Sequence, residues 1–112
     1  MHKRWHLTKP IKIIDENNKY LGNILDITVA GLGMVSKYPL KPDNTIKIKI
    51  DLSDEKIDLG QIELKGENVW CEERLINRYF AGIEFNDLNQ DTINKIKNLI
   101  HKYGFTTNSI RA

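Results

Sequence analysis

Within Asp26-Ile27-Thr28-Val29-Ala30-Gly31 an acid, a hydroxyl and a glycine stand in one short break between two strand-like runs. The carboxylate accepts hydrogen bonds, the hydroxyl donates and accepts, and a glycine can take a positive φ or let a ligand come close. Asp and Thr in such a break can also bond nearby main-chain amides. A self-bonded turn and a ligand-facing cradle are therefore both open on local chemistry. A second group of polar residues lies at the start of the chain, where Lys3, Arg4 and His6 flank Trp5 and Leu7.

Other chemistry has little support. There is no GxxxxGK[ST] phosphate loop, no Rossmann glycine fingerprint and no HExxH. One cysteine and three histidines cannot make a four-ligand zinc pattern, so no metal site is expected. No Ser or Cys stands beside a His as a nucleophile would, and Cys71 next to Trp70 reads as strand packing. Trp70 itself reads as packing on the barrel rim or the helix. The expectation is a protein with no catalytic residue.

The bulk numbers agree. A chain of 112 residues makes one domain with a modest core, and 40% hydrophobic with 29% charged residues is ordinary for a globular protein. A net charge of +2 is too small to argue for a nucleic-acid polymer. No apolar run approaches a membrane span, and the basic start has no apolar segment behind it, so neither membrane insertion nor a signal peptide is expected. A single cysteine precludes an intrachain disulfide and suits a cytoplasmic location.

The elements that must position the two groups follow from hydropathy. Residues 1–8 are polar, basic and aperiodic, and read as a flexible arm. Ile11, Ile13 and Ile14 mark a strand at about 10–14. The cluster Asp15-Glu16-Asn17-Asn18 turns it into a second strand at 19–27. Leu32, Met34 and Val35 form a third. Ile46-Lys47-Ile48-Lys49-Ile50 alternates strictly, so one face is buried and one is wet. An acidic loop is expected over 53–60. A long strand then runs over 61–71, with a bulge expected at Gly66 where its inward phase moves to Val69 and Cys71. Residues 72–77 turn, and Tyr79, Ala81, Ile83 and Phe85 share one face of a sixth strand. After Asn86 the period changes: Ile93, Ile96, Leu99, Ile100 and Tyr103 mark an amphipathic helix. Asn89 is its expected N-cap and Gly104 its C′ residue, with Phe105 under that end. Six strands with hairpin-length turns and one final helix imply a mainly β fold, a small antiparallel β-barrel with a C-terminal α-helix. The arm 1–8, a domain over 9–105 and a disordered tail over 106–112 complete the organisation.

From about Arg4 to Ile100 the chain resembles the PilZ domain family. The hexapeptide Asp26 to Gly31 is close to the family's DxSxxG motif, with Thr28 in place of Ser. Val69-Trp70 and Ala81-Gly82-Ile83-Glu84-Phe85 are similar to the family's V-x-W-type and G-x-x-F-type strand endings. Arg4, ahead of Pro10-Ile11-Lys12-Ile13, has the spacing of the second Arg of the family's RxxxR motif, whose first Arg would fall before Met1.

The resemblance implies a six-stranded PilZ-like split barrel and, as in many members, binding of the bacterial second messenger cyclic di-GMP. Arg4 would then fork onto guanine N7 and O6 or onto phosphate. The Asp26 carboxylate would accept the guanine N1–H and N2–H, with Thr28 adding a bond and Gly31 allowing close approach. Lys3 is a candidate for phosphate, and Trp5 either stacks on a base or covers a barrel edge. The ligand would order the arm on the barrel and present it to a protein partner of unknown identity. The competing expectation is a degenerate PilZ-like adaptor that works through protein contacts without the nucleotide.

Overall fold

The computed structural model describes residues 3–41, 44–52 and 60–106. The elements are β1 (Trp5–Leu7), β2 (Lys12–Asp15), β3 (Tyr20–Ile27), β4 (Gly31–Ser36), β5 (Thr45–Asp51), β6 (Gln61–Leu75), β7 (Arg78–Asn86), α1 (Gln90–Tyr103) and β8 (Gly104–Phe105). The sheet runs β2-β5-β6-β7-β4-β3, and pairing of β2 with β3 closes it. This is the expected six-stranded antiparallel barrel with its C-terminal helix. Closure removes the free edges that an open six-stranded sheet would present.

Periodicity explains the walls. In β5, Ile48 and Ile50 point inward between exposed or half-buried neighbours. In β7, Ala81, Ile83 and Phe85 line the same core. The β2–β3 turn is held by Asp15, whose Oδ1 accepts the N–H groups of Asn17 and Lys19, both at 2.8 Å. Asn18 takes the positive φ of 65° that this turn needs. Helix α1 starts where Asn89 Oδ1 accepts the Thr92 N–H at 2.8 Å. It buries Ile96 and Leu99 completely.

Several expectations are corrected. Residues 5–7, expected within a flexible arm, form β1, which pairs with β3 on one edge and β8 on the other. Three residues are too few for a period to be visible in sequence. Thr106, expected in the frayed tail, is buried; residues 107–112 and the acidic segment 53–59 lie outside the described residues. Gly104 is not a left-handed C′ residue. Its backbone is extended (φ −83°, ψ 143°), its N–H bonds Ile100 O, and a Cβ there would fall 2.5 Å from that oxygen. Phe105 therefore enters β8 and meets the His6 ring at 5.8 Å instead of tucking under the helix. The bulge of β6 is at Val69, between the pairs Asn68–Ile83 and Trp70–Gly82, and not at Gly66. Gly66 stays in register, paired with Ile46 and Phe85, and a Cβ there would fall 2.6 Å from Glu84 O. Finally, 72–77 is not all turn: β6 continues to Leu75, and only Ile76 and Asn77 make the tip.

Candidate functional site

A second bulge builds the site. Ile24 pairs with Met34 and Asp26 with Gly33, so Leu25 is an extra residue in β3. In strict alternation Asp26 would share the core side with Ile24, since residues two apart lie on one face. The inserted residue reverses that phase, so Asp26 points to the outside of the barrel while Ile27 returns to the core.

On that outer face four residues stand directly opposite one another across four strands. Asp26 pairs with Gly33, Gly33 with Gly82, and Gly82 with Trp70. Adjacent strands lie about 4.8 Å apart, so the row spans about 14 Å. The two glycines carry no side chain of their own, so the space above each is taken by its neighbour. Each lodges the side chain beside it: a Cβ on Gly33 would be 2.8 Å from Asp26 Oδ1, and one on Gly82 would be 2.1 Å from Trp70 Nε1. The result is a groove of about 210 Å³ between the Asp26 carboxylate and the Trp70 ring, with Arg4, Thr28, Gly31 and Glu84 on its rim.

Strand β1 brings Arg4 there. Its register sets Trp5 against Ile27 and His6 against Asp26, which leaves Arg4 diagonal to Asp26 on the same side of the sheet. Arg4 Nη1 donates to Asp26 Oδ2 at 3.2 Å. The arginine side chain is 66% exposed and the aspartate 11%, so the pair sits at the lip of the groove with its carboxylate largely desolvated. Asp26 Oδ1 accepts the Gly33 N–H at 3.1 Å. One oxygen is thus held by main chain and the other by a cation that solvent can reach.

Thr28 shapes the turn between β3 and β4. Its Oγ1 accepts the Ala30 N–H at 2.9 Å and the Gly31 N–H at 3.1 Å, and its own N–H bonds Gly31 O at 2.8 Å. Gly31 is needed for approach rather than for positive φ: a Cβ would be 2.4 Å from Ile83 O on β7. The turn is therefore self-bonded, and it also forms one wall of the groove.

Of the six candidate residues, Arg4, Asp26, Thr28 and Gly31 line this groove. Trp5 does not; alternation in β1 turns it toward Val29, Ile100 and His101 beside the end of α1. Lys3 lies over the Trp5 ring, 5.4 Å from its centroid. Sequence reasoning misses Trp70, Gly33 and Gly82 as parts of the site. The bulges at Leu25 and Val69 hide which residues share the outer face, so Trp70 reads as rim packing. A larger groove of about 520 Å³ lies near the start of α1, edged by Lys47, Lys49 and Lys65, but it has no arginine–carboxylate pair. Among the described residues no group of three His, Cys, Asp or Glu could hold a metal ion, and no helix is long and apolar enough to cross a membrane.

The comparisons with known proteins match this geometry at the level of fold and family. The PilZ domain family model matches residues 1–102. An uncharacterized protein of Aquifex aeolicus (strain VF5) is 30% identical over 105 residues, which cover 91% of this chain and 46% of that protein. The chain thus spans about half the length of that curated relative. The PilZ domain of Escherichia coli YcgR, solved with c-di-GMP, superposes with a TM-score of 0.71 at 13% identity, covering 90% of this chain and 88% of that one. Apo MrkH of K. pneumonia gives 0.69 at 16% identity, covering 89% and 49%. The Bacillus subtilis inhibitor of motility MotI gives 0.66 at 12% identity, covering 91% and 50%. PilZ domains are binding and adaptor modules, not enzymes. With a family match over nearly its whole length and the barrel that goes with it, this chain belongs to the PilZ domain family.

Proposed function

We propose that the protein is a receptor and adaptor module for cyclic di-GMP. The observation that carries this reading is the Arg4–Asp26 pair at the lip of a groove that ends on Trp70. A guanine presents N7 and O6 to a guanidinium fork and N1–H and N2–H to a carboxylate. Arg4 and Asp26 are 3.2 Å apart, so one base can engage both once Arg4 swings off Asp26 Oδ2. A base would enter between the Asp26 carboxylate and the Trp70 ring, and Arg4 is exposed enough to reach a phosphate. The YcgR domain that shares this fold was solved with that nucleotide.

The test is an amide-shift titration with cyclic di-GMP, paired with calorimetry. Saturable shifts at residues 3–5, 26–33, 69–71 and 82, with micromolar or tighter affinity (about −8 kcal/mol), are expected. No heat and no shifts at millimolar nucleotide would end the receptor reading. A specific observation favours the adaptor without nucleotide as the second reading: the Asp26 and Thr28 oxygens already have protein partners. On that reading the acid-hydroxyl-glycine turn only holds β3 to β4.

A further inference from the structure

The hairpin that carries Trp70 runs on past the barrel. Strand β5 accompanies β6 only as far as Glu67, and β4 accompanies β7 only as far as Tyr79. From Asn68 to Glu73, β6 pairs with β7 while β7 still pairs with β4, and among the described residues only the Leu75–Arg78 pair and the tip lie beyond both neighbours. The overhang is braced. The Arg74 guanidinium lies 5.3 Å from the Trp70 ring centroid and 5.0 Å from that of Phe80, and its Nε donates to Glu72. Glu73 Oε2 accepts the Asn77 N–H at 3.2 Å, and Asn77 supplies the positive φ of 59° that the tip requires.

Nothing in this turn calls for an isoleucine, yet Ile76 is 89% exposed at the tip, with Leu75 at 64% beside it. Tyr38, on the segment after β4, is 72% exposed and faces the tip. Between the two runs a groove of about 600 Å³ is lined by Tyr38, Pro39, Ile76 and Tyr79 with Lys37 and Arg78. No acid lines it, and neither cation has an ion pair among the described residues. The nearby Glu72 and Glu73 are engaged by Arg74 and by the Asn77 amide.

From this we infer that the β6–β7 tip and the segment after β4 form a docking groove for a protein partner whose contact segment carries an aliphatic or aromatic side chain flanked by carboxylates. Ile76, Pro39 and the two tyrosine rings contact the apolar side chain within a groove whose lining is mostly polar, and Lys37 and Arg78 face the acids. Exposed aromatics with arginine are the residue types that anchor interfaces. A second copy of this chain is a poor occupant, because a two-fold contact through this groove would bring the cations of both copies together. An anionic membrane is disfavoured by the concave shape and by two cations where surface anchoring takes clusters of about four to eight. The inference rests on the adaptor role proposed above and names the chemistry of its partner. The tip lies six residues beyond Trp70 on the same braced hairpin, about 20 Å along an extended chain.

The test is panning of displayed random 16-residue peptides against the full chain, followed by affinity and amide-shift measurements on the enriched peptides. Enrichment of sequences with two or more Asp or Glu around an apolar residue is expected, with shifts at 37–39 and 76–79. Ile76→Ser and Arg78→Glu should each weaken binding at least tenfold with unfolding transitions unchanged, since both side chains stand in solvent. Enriched peptides without acidic bias, or affinities indifferent to both substitutions, would overturn the inference. So would Ile76-dependent binding to phosphatidylglycerol vesicles without peptide binding, or a dimer that Ile76→Ser dissolves. Nucleotide titration reads residues 3–5 and 26–33 instead, so failure of either proposal is visible separately.

Discussion

Gly33 and Gly82 stand directly opposite each other on β4 and β7, and each makes room for the side chain on its other flank. The pair explains why a carboxylate and an indole can border the same groove without a side chain between them. It also shows that these glycines serve space rather than backbone freedom, since neither has a positive φ.

Gly82→Ala is expected to move Trp70. The added methyl would fall 2.1 Å from Nε1 and 2.7 Å from Cδ1, so the half-buried ring must tilt away. Overpacking of this kind costs about 1–3 kcal/mol. Trp70 emission should shift while Trp5, beside the end of α1, should not respond; single-tryptophan variants measure this. Cyclic di-GMP affinity should fall at least about tenfold, equal to about 1.4 kcal/mol.

Arg4→Ala separates stability from binding. Ion pairs with one exposed partner contribute about 0–1 kcal/mol, so denaturant midpoints should barely change. Nucleotide affinity should drop by at least about tenfold. Arg4→Lys should not restore it, because a point donor cannot reproduce the planar fork. Equal loss of stability and affinity would show that Arg4 is only a staple for β1.

Thr28 tests the turn. Its oxygen accepts two main-chain N–H groups, and Thr28→Val keeps the shape while removing the acceptor. Leaving those amides without a partner costs about 1–3 kcal/mol. Thr28→Ser keeps the oxygen and should stay within about 0.5 kcal/mol of the parent. Urea unfolding of the two variants side by side reads the difference.

The legible parts of this chain are those with a long, clean period. Ile48 and Ile50 in β5 and Ile96 and Leu99 in α1 are where alternation and the helical repeat put them, and barrel plus helix follow. The acid-hydroxyl-glycine turn is legible as chemistry but not as geometry. One inserted residue, Leu25, decides whether Asp26 faces core or solvent, and no composition marks it. Val69 does the same for Trp70, which is why the far wall of the groove reads as packing. Strands β1 and β8, three and two residues long, exist because they pair with each other and β1 with β3, a long-range relation that a local pattern does not carry.

That last relation predicts a link between α1 and the groove. The Thr8 N–H bonds Tyr103 O at 2.9 Å, Leu7 pairs with Gly104, and β1 sets Arg4 beside Asp26. Leu99 is fully buried, and Leu99→Ala should cost about 2–5 kcal/mol through the cavity it leaves. Asn89→Ala, at the opposite end of the helix, removes the N-cap and should cost about 1 kcal/mol. If α1 holds β1 through β8, Leu99→Ala will speed hydrogen exchange of the Thr8 amide more than that of buried amides in β5, even where the barrel remains folded. The N-cap variant will leave the ratio of the two rates unchanged. Uniform acceleration in both variants would mean that β1 and α1 open only with the whole barrel, because short strands paired on both edges then share the global stability rather than a local one.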